Sequence, residues 1–202
     1  MTASHKESLS TESILVRTDA DGIARLTLNR PGQYNALSEN MMDSLQTELD
    51  TIAEDKSVRV VILASAGEAF CAGHDLKEMR ARPEHEYYEF LFKKCSRMML
   101  SMVRLPQPII ARVHGVATAA GCQLVANSDL AVAASNARFG TSGINVGLFC
   151  MTPSVAVTRN VQRKKAFEML FTGDLLTAEE ALAAGLVNQV TPPDEIDGAL
   201  ER

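Results

Sequence analysis

Three short apolar runs constrain this chain more than any other feature: Val58 to Ala64, Pro108 to Val113 and Leu130 to Ala134. They are nearly continuous in hydrophobicity and rich in β-branched or small residues, the composition of strands covered on both faces. Helical patterns lie between them. Ser38 stands at an N-cap position, and Met41, Met42, Leu45, Leu49 and Ile52 follow at helical spacing. A small-residue helix from about Ala120 to Ser128 leads into the third run. Strands alternating with helices from residue 36 onward predict an α/β fold with a parallel sheet and helical crossovers.

The flanking segments fit the same picture. Ile14-Leu15-Val16 and Ile23 to Leu28 read as two strands around the turn Asp19-Ala20-Asp21-Gly22, a hairpin ended by Asn29-Arg30-Pro31-Gly32. Asp75 to Leu105 is polar, Met-rich and mostly helical by pattern. It reads either as a mobile lid or as a segment whose Met98, Met99 and Met102 fill irregular core. Thr177-Ala178-Glu179-Glu180 is a capping box, and Gly185 sits where the helix it starts needs a C-cap. No internal repeat is visible. Residues 1–12 are expected to form a loose leader and residues 13–202 one domain, a size at which 46% hydrophobic content supports a real core.

Charge and cysteine usage exclude several functions. A net charge of −5 with no basic stripe argues against nucleic acid as a partner. Arg163-Lys164-Lys165 reads as a solvated helix face. The N-terminal stretch has no apolar core of signal-peptide length, and no segment reaches the roughly 18 apolar residues of a membrane span, so a cytoplasmic protein without membrane contact is expected. Cys71, Cys95, Cys122 and Cys150 are widely spaced, which predicts free thiols, with neither a disulfide framework nor a metal site.

Two segments combine a strand end, small residues and a helix start, an arrangement that leaves backbone N–H groups unpaired. They are Ala69 to Lys77 (AFCAGHDLK) and Gly115 to Cys122 (GVATAAGC). Either alone reads as close packing. Together with Leu28-Asn29-Arg30-Pro31, Asn35-Ala36-Leu37, Phe139-Gly140 and the stretch from Phe171-Thr172-Gly173 to Gly185-Leu186-Val187, they match, in order, the crotonase (enoyl-CoA hydratase/isomerase) superfamily. The resemblance runs from about residue 13 to residue 191.

That resemblance implies a crotonase-like spiral of repeated ββα units, assembled as a homotrimer or a hexamer, which binds the CoA thioester of a carboxylic acid as substrate and needs no separate cofactor. By matching position, the backbone N–H groups of His74 and Ala120 would form an oxyanion hole for the thioester oxygen. Relatives carry Ala and Gly there, and a backbone donor survives that change. Arg30, Ala36, Ala72 and Lys77 fall near the adenine pocket and pantetheine channel, and the basic run at 163–165 is open to a CoA phosphate. Relatives also continue past the region matching Val190-Thr191-Pro192 into helices that help form the trimer and close the acyl pocket, whereas this sequence stops at Arg202.

The resemblance also exposes a departure. The two glutamates of the hydratases are replaced by Gln123 and Gly143. Adding water across a conjugated double bond needs a base for the water and an acid for the α-carbon, and neither an amide nor a hydrogen atom titrates. Between Ala134 and Pro153 the chain offers Thr141, Ser142, Asn145 and Cys150 but no acid. Asp129 reads as structural, His114 as a satisfied core histidine, and Cys122 and Cys150 as inert thiols. His74 is the side chain that could carry a proton near neutral pH, with His85 behind it. The expectation is an acyl-CoA-binding protein of fatty-acid metabolism, of the lyase or isomerase type, with very low hydratase activity. The alternatives are another CoA-thioester reaction (isomerase, thioesterase or decarboxylase) and a non-catalytic acyl-CoA-binding or scaffold protein.

Overall fold

The computed structural model describes residues 13–201. Strands β1 (Leu15–Ala20) and β2 (Ile23–Leu28) form the expected hairpin, in register from Leu15↔Leu28 to Ala20↔Ile23. A short 3-10 turn at Pro31–Gln33 leads to helix α1 (Glu39–Glu54), whose Ser38 cap accepts the Met41 N–H at 3.2 Å. The five apolar residues picked out by spacing are the ones α1 buries. The chain continues through β3 (Val60–Ser65), β4 (Ala69–Cys71), α2 (Leu76–Ala81), α3 (His85–Arg104), β5 (Ile109–Val113), β6 (Val116–Thr118) and α4 (Ala120–Asn127). It then runs through β7 (Leu130–Ala134), β8 (Arg138–Gly140), α5 (Met151–Asn160), α6 (Arg163–Thr172), β9 (Leu176–Thr177), α7 (Ala178–Ala183), β10 (Gln189–Thr191) and α8 (Ile196–Leu200).

The strands form two sheets rather than the single one expected. The larger has the order β1-β2-β3-β5-β7-β10, parallel except at the hairpin; the smaller has the order β4-β6-β8-β9. The pairs β3/β4, β5/β6 and β7/β8 each send their first strand to the large sheet and their second to the small one, and each pair is followed by helix. This is the repeated ββα unit. The family resemblance implied this repeat, but residue patterning alone did not display it, because β4, β6 and β8 have only three residues each, too few to show a period.

Packing follows composition. Phe70 and Phe139, on strands of the small sheet, are fully buried in the same core as Leu26 and Leu28 of the large one. Asp129 ties two central strands together: its Oδ2 accepts the Ile109 N–H at 2.8 Å and its own N–H donates to the Ile109 carbonyl at 2.9 Å. Met98, Met99 and Met102 lie buried on α3 within this core, so the packing reading of that segment holds for its C-terminal part. The loose leader expected over residues 1–12 lies outside the described residues.

Candidate active site

The first donor segment is built by the loop before α1. Leu37 N–H donates to the Gly73 carbonyl at 2.8 Å, Asp75 N–H to the Leu37 carbonyl at 3.2 Å, and Ala72 N–H to the Tyr34 carbonyl at 3.0 Å. Asn35 organises that loop from within. Fully buried at φ 53°, its side chain accepts the Arg30 N–H and donates to the carbonyls of Ala66 and Ala69, all at 2.8 Å. In the sequence Asn35 stands out only as part of the Asn35-Ala36-Leu37 motif. The segment then turns at Gly73 (φ 90°), and Asp75 caps α2 by accepting the N–H groups of Lys77 and Glu78.

The second segment turns at Ala119, whose φ of 50° and ψ of −122° are costly for a residue with a Cβ. That turn starts α4. The two segments touch: a Cβ built on Gly73 would lie 2.9 Å from the Ala119 Cβ and 3.1 Å from the Ala120 nitrogen. Only glycine lets them approach so closely. Among the described residues, neither the His74 N–H nor the Ala120 N–H has an acceptor.

Both residues line a cavity of about 360 Å³, together with Ala72, Gly143 and the apolar side chains of Leu76, Phe92, Val146 and Phe149. Among the described residues, no Asp or Glu lines it; its polar side chains are His74, Ser142, Cys150 and Thr152. Four of the eight residues singled out in the sequence, Ala72, His74, Ala120 and Gly143, therefore meet at one place.

His74 packs edge-on against Phe92, with ring centroids 5.3 Å apart, and its Nε2 is buried without a partner. Burial lowers its pKa to about 4. Near neutral pH burial favours the neutral imidazole, which weighs against His74 as a proton carrier there. Gln123 is buried on α4 one turn beyond Ala120, and its Oε1 has no partner. It is not one of the cavity walls, although a helical side chain leans toward its helix N-terminus, here the cavity end.

Gly143 sits inside a turn that closes on itself. Its carbonyl accepts the Leu148 N–H at 3.0 Å, and its N–H meets the Cys150 thiol. A Cβ there would fall 2.3 Å from the Leu148 carbonyl oxygen and 2.8 Å from the Cys150 Sγ. No side chain fits at residue 143 without moving the loop.

The other candidates disperse. Arg30 reaches the Ala36 carbonyl at 3.2 Å and the Asp75 carboxylate at 3.4 Å, so it braces the cap of α2; Ala36 is buried beside it. Lys77 is exposed in the first turn of α2. His85 is exposed at the start of α3, away from the cavity. His114 Nε2 donates to the Gly67 carbonyl at 2.6 Å while its Nδ1 is buried unpaired, so it is half satisfied. Burial pushes the thiols of Cys71, Cys95 and Cys122 up to about 12, and Cys150 upward too, which leaves them inert at neutral pH. Among the described residues, no group of three or more His, Cys, Asp or Glu is placed to hold a metal ion, and no helix is long and apolar enough to cross a membrane. Thr152, at the start of α5, is a cavity residue that sequence reading did not single out.

Comparison with known proteins meets this geometry. The mitochondrial enoyl-CoA hydratase domain-containing protein 3 of Xenopus laevis is 48% identical over 181 residues, covering 90% of this chain and 62% of its own length. The chain thus spans about three fifths of that relative. The crystal structure of an enoyl-CoA hydratase from Mycobacterium smegmatis superposes with a TM-score of 0.93 at 60% identity, covering 94% of this chain and 74% of that one. The human enoyl-CoA hydratase domain-containing protein 3 superposes with a TM-score of 0.91 at 43% identity, covering 94% and 75%. The model of the family described as Enoyl-CoA hydratase/isomerase matches residues 18–200, through both donor segments and both sheets, and the chain belongs to that family, the crotonases.

Proposed function

We propose that the cavity receives the acyl end of a CoA thioester, with the thioester oxygen between the N–H groups of His74 and Ala120, and stabilises the enolate that forms when charge moves onto that oxygen. The observation that carries this reading is the contact between the two donor segments at Gly73, with both N–H groups left without acceptors at a largely apolar cavity. Donors fixed in advance and shielded from water act most strongly on charge that develops only in the transition state. CoA itself would lie outward past Ala72, toward the exposed Lys77. The braced position of Arg30 favours support of that channel over direct contact.

Hydration is the wrong chemistry for this pocket. Among the described residues no carboxylate lines it, Gly143 has no room for one, and the buried amide of Gln123 can orient a water or a thioester but cannot carry a proton. The absence of acids equally favours a second reading, a protein that binds acyl-CoA without turning it over. The vertebrate relatives are named mitochondrial, so the expected cytoplasmic setting gains nothing from them. The assembly carried over from the family is a trimer or hexamer, which sedimentation equilibrium would measure.

The deciding experiment is calorimetric binding of crotonyl-CoA and a longer enoyl-CoA, followed by the loss of enoyl absorbance in the same sample. Binding with almost no loss is expected. Rapid hydration would overturn the acid-less reading, and no binding would overturn the thioester site.

A further inference from the structure

Two neighbouring helices carry opposite charge on faces that do not line the cavity. Helix α1 contains Glu39, Asp43, Glu48, Asp50 and Glu54 and no Lys, Arg or His. Helix α3, from Phe90 to Arg104, contains Lys93, Lys94, Arg97 and Arg104 and no Asp or Glu. The two lie side by side and run in the same direction: Tyr87 Oη donates to Glu39 at 3.0 Å, Lys94 Nζ to Asp43 at 2.7 Å, and Gln46 Nε2 to Ser101 Oγ at 2.9 Å. Internal pairing occupies part of the charge, since Glu39, Asp43 and Glu48 each meet a cation and Lys93 and Lys94 each meet an acid. Asp50, Glu54, Arg97 and Arg104 are exposed and, among the described residues, form no ion pair.

The charges are also matched in spacing. Asp43 and Asp50 on α1 are seven residues apart, as are Arg97 and Arg104 on α3, which is two turns or about 10.5 Å along one edge of each helix. The bonds from Lys94 to Asp43 and from Gln46 to Ser101 put Asp43 near the level of Arg97, and Asp50 near that of Arg104. A two-fold axis lying between the helices and parallel to them carries α1 of a second copy over α3 of the first, with no shift along the axis. Asp43 then faces the second copy's Arg97, Asp50 faces its Arg104, and both pairings occur twice. Phe90, Leu100 and Val103, 47%, 46% and 54% exposed, flank the basic stripe and lose water in the same contact.

We propose that the α1–α3 face is a self-complementary docking surface for a second copy of this chain, related by a two-fold axis parallel to both helices. Such an interface must bring each patch against its complement on the other copy, and acids beside bases on parallel helices do so. An anionic membrane or a nucleic acid would be attracted by α3 but repelled by α1. Helices of 16 and 20 residues, about 24 and 30 Å long and about 10 Å apart, present a face of roughly 500 Å². Two such faces bury about 1,000 Å², the lower bound for a specific contact, so the association is weak and depends on concentration. It does not rest on the thioester reading.

The contact doubles whatever assembly the chain otherwise forms, so the readout is a twofold change of mass. Sedimentation equilibrium at low ionic strength should show that doubling as concentration rises, and about 0.5 M salt should reverse it. Arg97→Glu with Arg104→Glu should weaken the doubling about tenfold to a hundredfold, and Asp43→Lys with Asp50→Lys should do the same. An equimolar mixture of these two variants regains every opposite-charge pairing and should associate as the wild type does. Asp50→Lys alone serves where loss of the Asp43–Lys94 bond unfolds the second variant. Absence of doubling in the wild type at low salt would overturn the proposal, as would doubling that ignores salt and both variants. A mixture of folded variants that stays apart would overturn the pairing of α1 with α3. A wild type that stays undoubled yet sediments with vesicles of anionic phospholipid would assign the basic stripe to a membrane and overturn the second copy as its occupant.

Discussion

His74 and Ala119 show how much strain a site tolerates to place two backbone groups. In the unfolded chain a histidine titrates near 6.5, and burial lowers His74 to about 4 in the folded protein. The unfolded state therefore binds more protons between those values, so this contribution to stability is complete above about pH 6.5 and is lost as pH falls toward 4. Up to about 3 kcal/mol rides on that window. Urea unfolding of the wild type should weaken over this range, and His74→Gln should flatten the dependence; an unchanged slope would mean the ring is solvated. Ala119 makes the opposite case. Its positive φ costs about 1–3 kcal/mol with a Cβ present, more than the roughly 0.5–1 kcal/mol of chain entropy that glycine adds to unfolding. Ala119→Gly should stabilise the fold by about 1 kcal/mol, read as a higher urea midpoint with an unchanged m-value. The two segments could be located in the sequence because a small-residue turn before a helix is a visible pattern, whereas the donor roles of His74 and Ala120 came from the family resemblance. Asn35 could not be assigned a role, because its importance comes from what the folded chain brings around it.

At the level of elements, local chemistry was readable wherever it is self-contained. The box at the start of α7 forms as expected: Thr177 N–H donates to Glu180 Oε2 at 2.8 Å, and Glu180 N–H donates to Thr177 Oγ1 at 3.2 Å. At its other end Gly185 adopts φ 81°, the Gly185 N–H reaches the Leu182 carbonyl at 3.1 Å, and the Leu186 N–H reaches the Ala181 carbonyl at 2.9 Å. These two bonds close the helix as a Schellman motif. Thr177→Ala removes one capping acceptor and should cost about 1 kcal/mol, read as a lower thermal midpoint; no change would mean that β9 and the core hold this helix unaided. The long buried strands β3, β5 and β7 were equally readable. The three-residue strands of the small sheet were not, because they are defined by their partners in space. So was the division of residues 75–105 into α2 and α3, whose cap at Asp75 is braced by an arginine 45 positions away in sequence.

On the scale of the whole molecule, the two positions that the family resemblance pairs with the hydratase glutamates differ in kind. Position 123 is a substitution, since the Gln123 side chain already fills a buried slot that a glutamate would also occupy. Position 143 is a rebuilding, because the Leu148 carbonyl and the Cys150 thiol fill the volume that any side chain would need. The sequence presents both as simple losses, and the distinction appears only once the 143–150 turn is seen closed. It follows that placing a glutamate at both positions takes more than substitution, because the 143–150 turn must also move. Gln123→Glu should fold, at a cost of about 1–3 kcal/mol for an acid buried at an unsatisfied site, and its carboxyl should titrate above the ordinary range. Gly143→Ala should cost at least about 1–3 kcal/mol through overpacking against the backbone, and Gly143→Glu more. The double variant should therefore be less stable than either single one and should still fail to hydrate crotonyl-CoA, measured by the decay of enoyl absorbance. Rapid hydration by that protein would show that the turn opens readily, and that this pocket is a hydratase site lacking only its acids.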